Sequence, residues 1–222
     1  RLHNALGQYG GYARARHATR IGKNCSISPL AVVAKENVII GDNVVIEEFA
    51  VIRDNVTIGD NCVIHAGVKI GFNDFEYKKE NGKLFTVAHY GGVILGEEVE
   101  LHPNTCVNKA LYPWDNTVIG DRCKIDMLVQ VSHGVKVGRD TMIVGLSGIG
   151  GRTEIGENSW IGYGCIIRNG VHVGNNARAN MGAVVSRDVA DGQAVTGNFA
   201  IDHDIFMENL KRAAKPTKER NE

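Results

Sequence analysis

Residues 119–185 read IGDRCKIDMLVQVSHGVKVGRDTMIVGLSGIGGRTEIGENSWIGYGCIIRNGVHVGNNARANMGAVV, and an aliphatic residue recurs there at every sixth position, from Ile119 to Val185. An α-helix repeats every 3.6 residues and a half-buried strand every two, so neither period produces this spacing. A chain that winds as a triangular prism, with six residues per side and eighteen per coil, does produce it. The sequence therefore predicts an all-β protein, a parallel β-helix.

The six-residue spacing also covers the N-terminal half of the chain. It runs from Ile40 to Ile70. Ile21, Ile27 and Val33 show the same spacing, shifted by one residue relative to the run that begins at Ile40. Every third hexad carries Gly followed by acidic or amide residues, as in Ile40-Gly41-Asp42-Asn43. The fifth hexad position is small, and the cysteines that occupy it are expected to pack inward because free Cys is readily buried: Cys25, Cys62, Cys123 and Cys165. No C-x-x-C pair is present, so the cysteines do not indicate a zinc ribbon or a thioredoxin-like site.

The breaks in the spacing define the expected organisation of the chain. Residues 21–200 form the repeat domain, with a loop insertion at 71–94 that is rich in aromatic residues, and a second break at 111–116. Loops that project from a rigid scaffold often carry binding residues. Residues 1–20 lie outside the repeats as a cap or separate segment. Residues 201–222 are expected to hold a helix from Asp204 to about Ala214 that covers the last coil and ends before Pro216, followed by a disordered tail.

Composition excludes several classes of function. The 222 residues contain 25 Lys and Arg and 25 Asp and Glu, so no overall field favours nucleic acid. No apolar run approaches the roughly 20 residues of a membrane span, and no secretory signal is visible. The unpaired cysteines favour the cytoplasm. Because the first residue is Arg1, the start is either trimmed or part of a longer protein.

Several motifs resemble those of one enzyme family. Gly67-Val68-Lys69-Ile70-Gly71-Phe72, Lys124-Ile125-Asp126 and Gln130-Val131-Ser132-His133-Gly134, set in the hexad lattice, resemble the hexapeptide-repeat acyltransferases. That family implies a left-handed β-helix assembled as a homotrimer. The match is similar to the UDP-3-O-acylglucosamine N-acyltransferases of lipid A synthesis, and Val-Ser-His is equally similar to the N-acetyltransferases of UDP-4-amino-sugars and of sialic-acid pathways.

The resemblance implies that His133 is the general base. An amine or hydroxyl that attacks a thioester must lose a proton, and imidazole with an ordinary pKa near 6.5 suits that task. Asp126 stands where the lipid A relatives have an acid, so the resemblance implies that it orients His133. Asp115, one eighteen-residue period before His133, is the rival for that role.

The resemblance also implies a thioester donor, acetyl-CoA or acyl-ACP, in a groove between neighbouring prisms, with no tightly bound cofactor. Small residues would let a pantetheine arm run close to the backbone, and cationic residues could meet phosphates or an acidic carrier protein. The N–H of Gly151 could stabilise the oxyanion. The candidate donor residues are Gly145, Gly148, Gly151, Gly162, Arg168, Arg178, Ala179, Ala183, Arg187, Lys211 and Arg212.

Acceptor binding is assigned to His102, which could reach a cleft, to Asn108, and to Phe72 and Tyr77 in the aromatic insertion. No metal is expected, because the related γ-class carbonic anhydrases need zinc histidines with paired spacing and no such pair is evident in the sequence.

Two departures from the lipid A pattern favour a small, soluble acceptor. Gly170 stands near the position of a second His in those enzymes, and we expect no counterpart of their N-terminal nucleotide-binding domain in this sequence. Residues 191–200 resemble the terminal signature of coenzyme A-dependent sugar acetyltransferases, with Phe199 where Pro is usual. We therefore expect acyl transfer to an amino group of a sugar, nucleotide-linked, in cell-surface polysaccharide or lipopolysaccharide synthesis. The alternatives are a sugar O-acetyltransferase and, from another class, a non-catalytic scaffold.

Overall fold

The computed structural model describes residues 1–12, 15–197 and 200–213, which form 27 short strands and two helices. The helices are α1 (Leu2–Gln8) and α2 (His203–Ala213). The strands are β1 (Arg20–Ile21), β2 (Ser26–Ile27), β3 (Val32–Val33), β4 (Val38–Ile40), β5 (Val45–Ile46), β6 (Val51–Ile52), β7 (Val56–Ile58), β8 (Val63–Ile64), β9 (Lys69–Phe72), β10 (Tyr77–Glu80), β11 (Lys83–Thr86), β12 (Gly92–Leu95), β13 (Glu100–Leu101), β14 (Cys106–Asn108), β15 (Asn116–Ile119), β16 (Lys124–Ile125), β17 (Gln130–Val131), β18 (Lys136–Val137), β19 (Met142–Ile143), β20 (Gly148–Ile149), β21 (Glu154–Ile155), β22 (Trp160–Ile161), β23 (Ile166–Ile167), β24 (His172–Val173), β25 (Arg178–Ala179), β26 (Val184–Val185) and β27 (Ala194–Val195).

The strands form the three faces of a prism. The first face runs from β1 to β24 and has eight parallel strands, the second runs from β2 to β27 and has nine, and the third runs from β3 to β26 and has eight. Each strand pairs with the strand one coil away, as Ile119 does with Val137 and Val137 with Ile155. The predicted parallel β-helix is confirmed, and its hand is left.

The core is the six-residue lattice itself. The lattice aliphatics point inward and are almost fully buried, as Ile125, Ile143 and Ile161 are at 0–1% exposure. Burial of one such side chain contributes about 1.5–3 kcal/mol, which a single coil cannot realise without neighbours. Cys62, Cys123 and Cys165 are buried, and Cys25 packs against the core, as expected for the fifth hexad position.

The Gly-acid-amide segments of every third hexad form the corners between the first and second faces. Asn43 and Asn61 adopt the left-handed conformation, with φ of 56° and 58°, which Asn tolerates better than most residues. The acid before each Asn accepts a backbone N–H from the coil below, since Asp60 Oδ1 lies 2.7 Å from the N of Asp42. These segments therefore recur because each corner needs a residue that tolerates the left-handed conformation and an acid that accepts this backbone hydrogen bond.

Two excursions interrupt the coils. Leu95 pairs with Ile58 across 37 residues instead of 18, because the antiparallel hairpin of β10 and β11 and the loop that follows lie between them. Residues 71–72 and 92–94 of the expected insertion belong to prism strands, so the excursion is shorter than expected. A second excursion, between β14 and β15, adds six residues to its coil, because Leu95 pairs with Ile119 across 24 residues instead of 18.

The two helices lie at the ends of the described chain. Helix α1 packs on the first excursion, where His3 Nε2 lies 2.7 Å from the carbonyl oxygen of Ala88. The predicted C-terminal helix is confirmed as α2, but Ile205, Phe206 and Leu210 remain half exposed, so it does not cover the last coil as expected. The expected end of the helix beyond Ala213, Phe199 of the terminal signature and the tail lie outside the described residues.

Candidate active site

His133 lies in the turn after β17, where the third face of the prism passes into the first. It is buried, at 8% exposure. Its ring packs against Gly151 on the next coil, and a Cβ at that position would lie 2.5 Å from Cε1 of His133. Gly134, the next residue, has a φ of 69°, which glycine adopts without strain. Gly151 on the next coil therefore leaves space for the ring of His133, and Gly134 allows the turn that follows it.

The carboxylate that contacts His133 comes from the first excursion. Oδ2 of Asp74 lies 2.8 Å from Nδ1 of His133 and also accepts the backbone N–H of His133 at 2.9 Å. Oδ1 accepts the N–H of Phe75 at 2.8 Å and Nδ2 of Asn108 at 3.1 Å. Both oxygens are therefore held by donors, and the hairpin excursion is fixed to the prism at this side chain.

The charge state of Asp74 sets the tautomer of His133. Burial alone would raise the pKa of the carboxyl, but the hydrogen bonds from the ring and backbone N–H of His133 outweigh it and hold the pKa well below its usual value. Asp74 is thus a carboxylate that only accepts, so Nδ1 of His133 must carry the proton. Nε2 has no hydrogen-bond partner within the described residues, which leaves its lone pair available to take a proton.

The floor of the site is a chain of hydrogen bonds between β14, β15 and the His133 turn. Asn108 is buried, and its carbonyl oxygen accepts Oγ1 of Thr117 at 2.6 Å. The same Oγ1 accepts the N–H of Gly134 at 2.9 Å. Asn108 therefore ties the Asp74 carboxylate to the turn that carries His133.

A second buried histidine lies beside the first. The rings of His89 and His133 are 5.4 Å apart and nearly perpendicular. Nδ1 of His89 lies 3.1 Å from the carbonyl oxygen of Val87, whereas Nε2 is buried without a partner within the described residues. Burial, followed by the proximity of His133, lowers the pKa of His89 to about 4, so it is neutral near pH 7.

His89 also lines a cavity of about 380 Å³ between helix α1 and the prism, together with Tyr12, Asp54, Tyr90 and Lys109. A buried nitrogen without a partner costs free energy unless a ligand or water supplies a hydrogen bond. The cavity lies beside His89, whose ring neighbours that of His133.

Asp126 does not orient His133. Its carboxylate accepts the N–H of Met127 at 2.8 Å and that of Gly145 at 3.0 Å. The expectation was wrong because Asp126 follows β16 on the second face, whereas His133 follows β17 on the third, so the two lie at different corners of the prism. Asp115 is engaged as well, with Oδ1 2.6 Å from Nζ of Lys136.

The candidate donor residues divide between surface and core. Gly151 touches the His133 ring, and its N–H has no acceptor within the described residues, as an oxyanion donor requires. Arg168 and Arg187 are exposed, and Gly145 lies beside Asp126. Ala179 is wrong as a groove residue, because it occupies an inward lattice position with 0% exposure. Ala183 is buried in the same way, at 2%.

The candidate acceptor residues also separate. Asn108 lies in the site, as described above. The guanidinium of Arg53 lies 4.7 Å from the ring centre of Phe72. The ring of Tyr77, at the start of β10, contacts the ring of Phe75. His102 lies on the second face, where its ring is 4.8 Å from that of His65. The two histidines are neighbours on adjacent coils, although the first excursion separates them by 37 residues in sequence.

Sequence reasoning missed Asp74 and His89. Both lie in the first excursion, whose aromatic content indicated function without indicating which residues matter. No lattice spacing connects residue 74 or 89 with residue 133, so only the folded excursion shows the contact.

Models of known families match the repeats. The bacterial transferase hexapeptide (six repeats) model matches residues 37–71 and 116–151, and the model for the hexapeptide repeat of succinyl-transferase matches residues 152–187. Residues 37–71 and 116–187 are therefore similar to the hexapeptide repeats of these transferase families.

Relatives with assigned names share one description. A UDP-3-O-acylglucosamine N-acyltransferase of Delftia acidovorans is 33% identical over 144 residues, covering 65% of this chain and 42% of that protein. A UDP-3-O-acylglucosamine N-acyltransferase 2 of Legionella pneumophila (strain Paris) is 35% identical over 189 residues, covering 85% of this chain and 49% of that protein. The chain thus spans less than half the length of these relatives.

A solved structure shows the same fold. The UDP-N-acetylglucosamine acyltransferase from Campylobacter jejuni superposes with a TM-score of 0.74 at 22% identity, covering 92% of this chain and 82% of that one. No helix in residues 1–12, 15–197 or 200–213 is long and apolar enough to cross a membrane.

The lowered pKa of His89 predicts an acid-dependent loss of stability. The unfolded chain takes up this proton near pH 6.5 and the folded chain only near pH 4, so the free energy of unfolding should fall across that window by up to about 3 kcal/mol. Urea unfolding between pH 4 and 7 should show a smaller fall for His89→Asn. The exposed His172→Asn serves as the control, and parallel curves for wild type and His89→Asn would contradict the assignment.

Proposed function

We propose that this protein transfers an acyl group from a thioester donor to the amino group of a nucleotide-linked sugar, with His133 as general base. The observation that carries the proposal is the Asp74–His133 pair, in which Asp74 holds Nδ1 and leaves Nε2 of the ring without a partner within the described residues, on a hexapeptide-repeat prism. The names of the similar proteins, UDP-3-O-acylglucosamine N-acyltransferases, support the acceptor class.

The site provides the groups for each step of the reaction. Nε2 of His133 removes a proton from the amine as its nitrogen attacks the thioester carbonyl carbon. The carbonyl oxygen becomes an oxyanion near the N–H of Gly151, and the intermediate collapses with cleavage of the carbon–sulfur bond. The departing thiolate takes the proton from the His133 imidazolium, which restores the neutral base. Asp74 stabilises the imidazolium in between.

The acceptor is assigned to the space beside the base. The cavity that His89 lines also has the polar side chains of Asn37, Asp54 and Asn55, which can hydrogen-bond sugar hydroxyls. The donor is an acyl-CoA or an acyl carrier protein, for which exposed Arg168 and Arg187 offer positive charge. We place the reaction in the cytoplasm, where nucleotide sugars and acyl thioesters are made.

An exposed apolar corner supports assembly as a homotrimer. Side chains at the corner between the second and third faces are about half exposed although they are apolar: Met127, Leu128, Leu146, Tyr163 and Met181. Ile166 and Val184 extend this surface along the third face, which ends at the His133 corner. Contiguous apolar surface of this kind marks a protein interface, and the occupant we propose is a second copy of the chain.

Removing the base or its partner should reduce acyl transfer without unfolding the protein. We expect His133→Ala to lower kcat/KM by about 10²- to 10⁴-fold, and Asp74→Asn to lower it at least about tenfold because the ring loses its fixed tautomer. The assay supplies acetyl-CoA or acyl-ACP with UDP-linked amino sugars and monitors the released thiol.

His172→Ala, which changes an exposed histidine, is the control and should retain full activity. Turnover of His133→Ala at the wild-type rate would remove His133 from the mechanism. The absence of transfer by the wild type with every donor and acceptor would favour a scaffold instead.

Sedimentation at micromolar concentration tests the assembly. The wild type should sediment at about three times the 24.1 kDa mass of the chain. Ile166→Glu, on the third face, should dissociate it because a charge would be buried between subunits. Ile94→Glu, an outward residue on the first face, is the matched control, and equal masses for both variants would argue against this interface.

A further inference from the structure

We propose that His65, Glu100 and His102 form a Zn²⁺ site that joins the two coils on either side of the first excursion. One donor atom from each residue lies within 4.8 Å of the other two. Nε2 of His65 lies 3.0 Å from Oε1 of Glu100, and Nε2 of His102 lies 3.4 Å from the same oxygen. Two imidazole nitrogens thus converge on one carboxylate oxygen.

These separations suit a tetrahedral metal. Zinc bonds of about 2.0–2.1 Å place neighbouring ligand atoms roughly 3.3 Å apart, close to the two nitrogen–oxygen distances. Two His and one Glu with an open fourth position are a known zinc ligand set. The two nitrogens need only a small inward movement, because their side chains are partly exposed and not packed in the core.

The surrounding residues hold the ligands in the required orientation. Nδ1 of His65 lies 3.1 Å from Oε1 of Glu47, whose other oxygen accepts the N–H of Ala66 at 2.9 Å. A metal-binding His commonly donates its second ring N–H to a carboxylate in this way. The other oxygen of Glu100 lies 3.4 Å from Nζ of Lys124, which leaves Oε1 for the metal.

The position of the site gives it a structural role. His65 follows β8 and His102 follows β13, and these strands pair directly although the first excursion lies between them in sequence. A metal held by both would close that loop and stabilise the coils that present the excursion to His133. The site lies on the second face and shares no residue with the acyl-transfer site.

Two core cysteines do not compete for the metal. Burial raises the pKa of the Cys62 and Cys123 thiols to about 11, so both remain protonated and closed off in the core. The histidine variants below therefore decide whether bound zinc lies in the cluster.

Calorimetric titration of the chelator-treated full chain with ZnCl₂ tests the proposal. We expect one Zn²⁺ per chain, affinity reduced at least about tenfold in His65→Gln and His102→Gln, and a reduction of about 10- to 100-fold in Glu47→Gln. Co²⁺ should give the visible absorption of tetrahedral coordination in the wild type and lose it in His102→Gln.

The control is His172→Gln, which changes an exposed histidine 3.6 Å from Glu154 and should bind Zn²⁺ as the wild type does. Thermal unfolding checks that each variant folds, and Zn²⁺ should raise the midpoint of the wild type by a few degrees but not that of His102→Gln. Failure of the wild type to bind Zn²⁺, or equal binding by the wild type and both histidine variants, would overturn the proposal.

Discussion

Hydrogen bonding between successive coils is the constraint on which the whole molecule depends. Each strand has two to four residues, too few to be stable alone, and gains its backbone partners only when the next coil has the same shape. That requirement fixes an inward aliphatic at every sixth residue and a left-handed conformation at the corners. Any additional chain must therefore leave the prism at a corner and return in register.

The first excursion uses this freedom to build the site. The prism supplies His133 on a rigid turn, and the excursion brings Asp74 to the protonated ring nitrogen and His89 to the side of the ring. The result is an imidazole whose tautomer is set by a carboxylate more than fifty residues away in sequence. A rigid scaffold with one inserted segment thus combines precise placement with a polar pocket.

The parts of the structure that follow the lattice could be predicted from the sequence, and the parts that depend on the excursions could not. The fold, the inward cysteines and the candidate role of His133 followed from spacing and motif. Asp126 was a wrong partner because one hexad moves the chain to another face of the prism. Ala179 was misplaced because a small residue at a lattice position is core. His65 and His102 were not recognised as neighbours because the inserted segment hides their coil spacing.

The most direct test of the account is the tautomer of His133, observed by ¹⁵N chemical shifts of the imidazole in selectively labelled protein at neutral pH. We expect a neutral ring that is protonated at Nδ1, with the proton in a hydrogen bond to Asp74, and a loss of that preference in Asp74→Asn. A ring protonated at Nε2 in the wild type would contradict it, because the nitrogen assigned as the base would then already hold a proton.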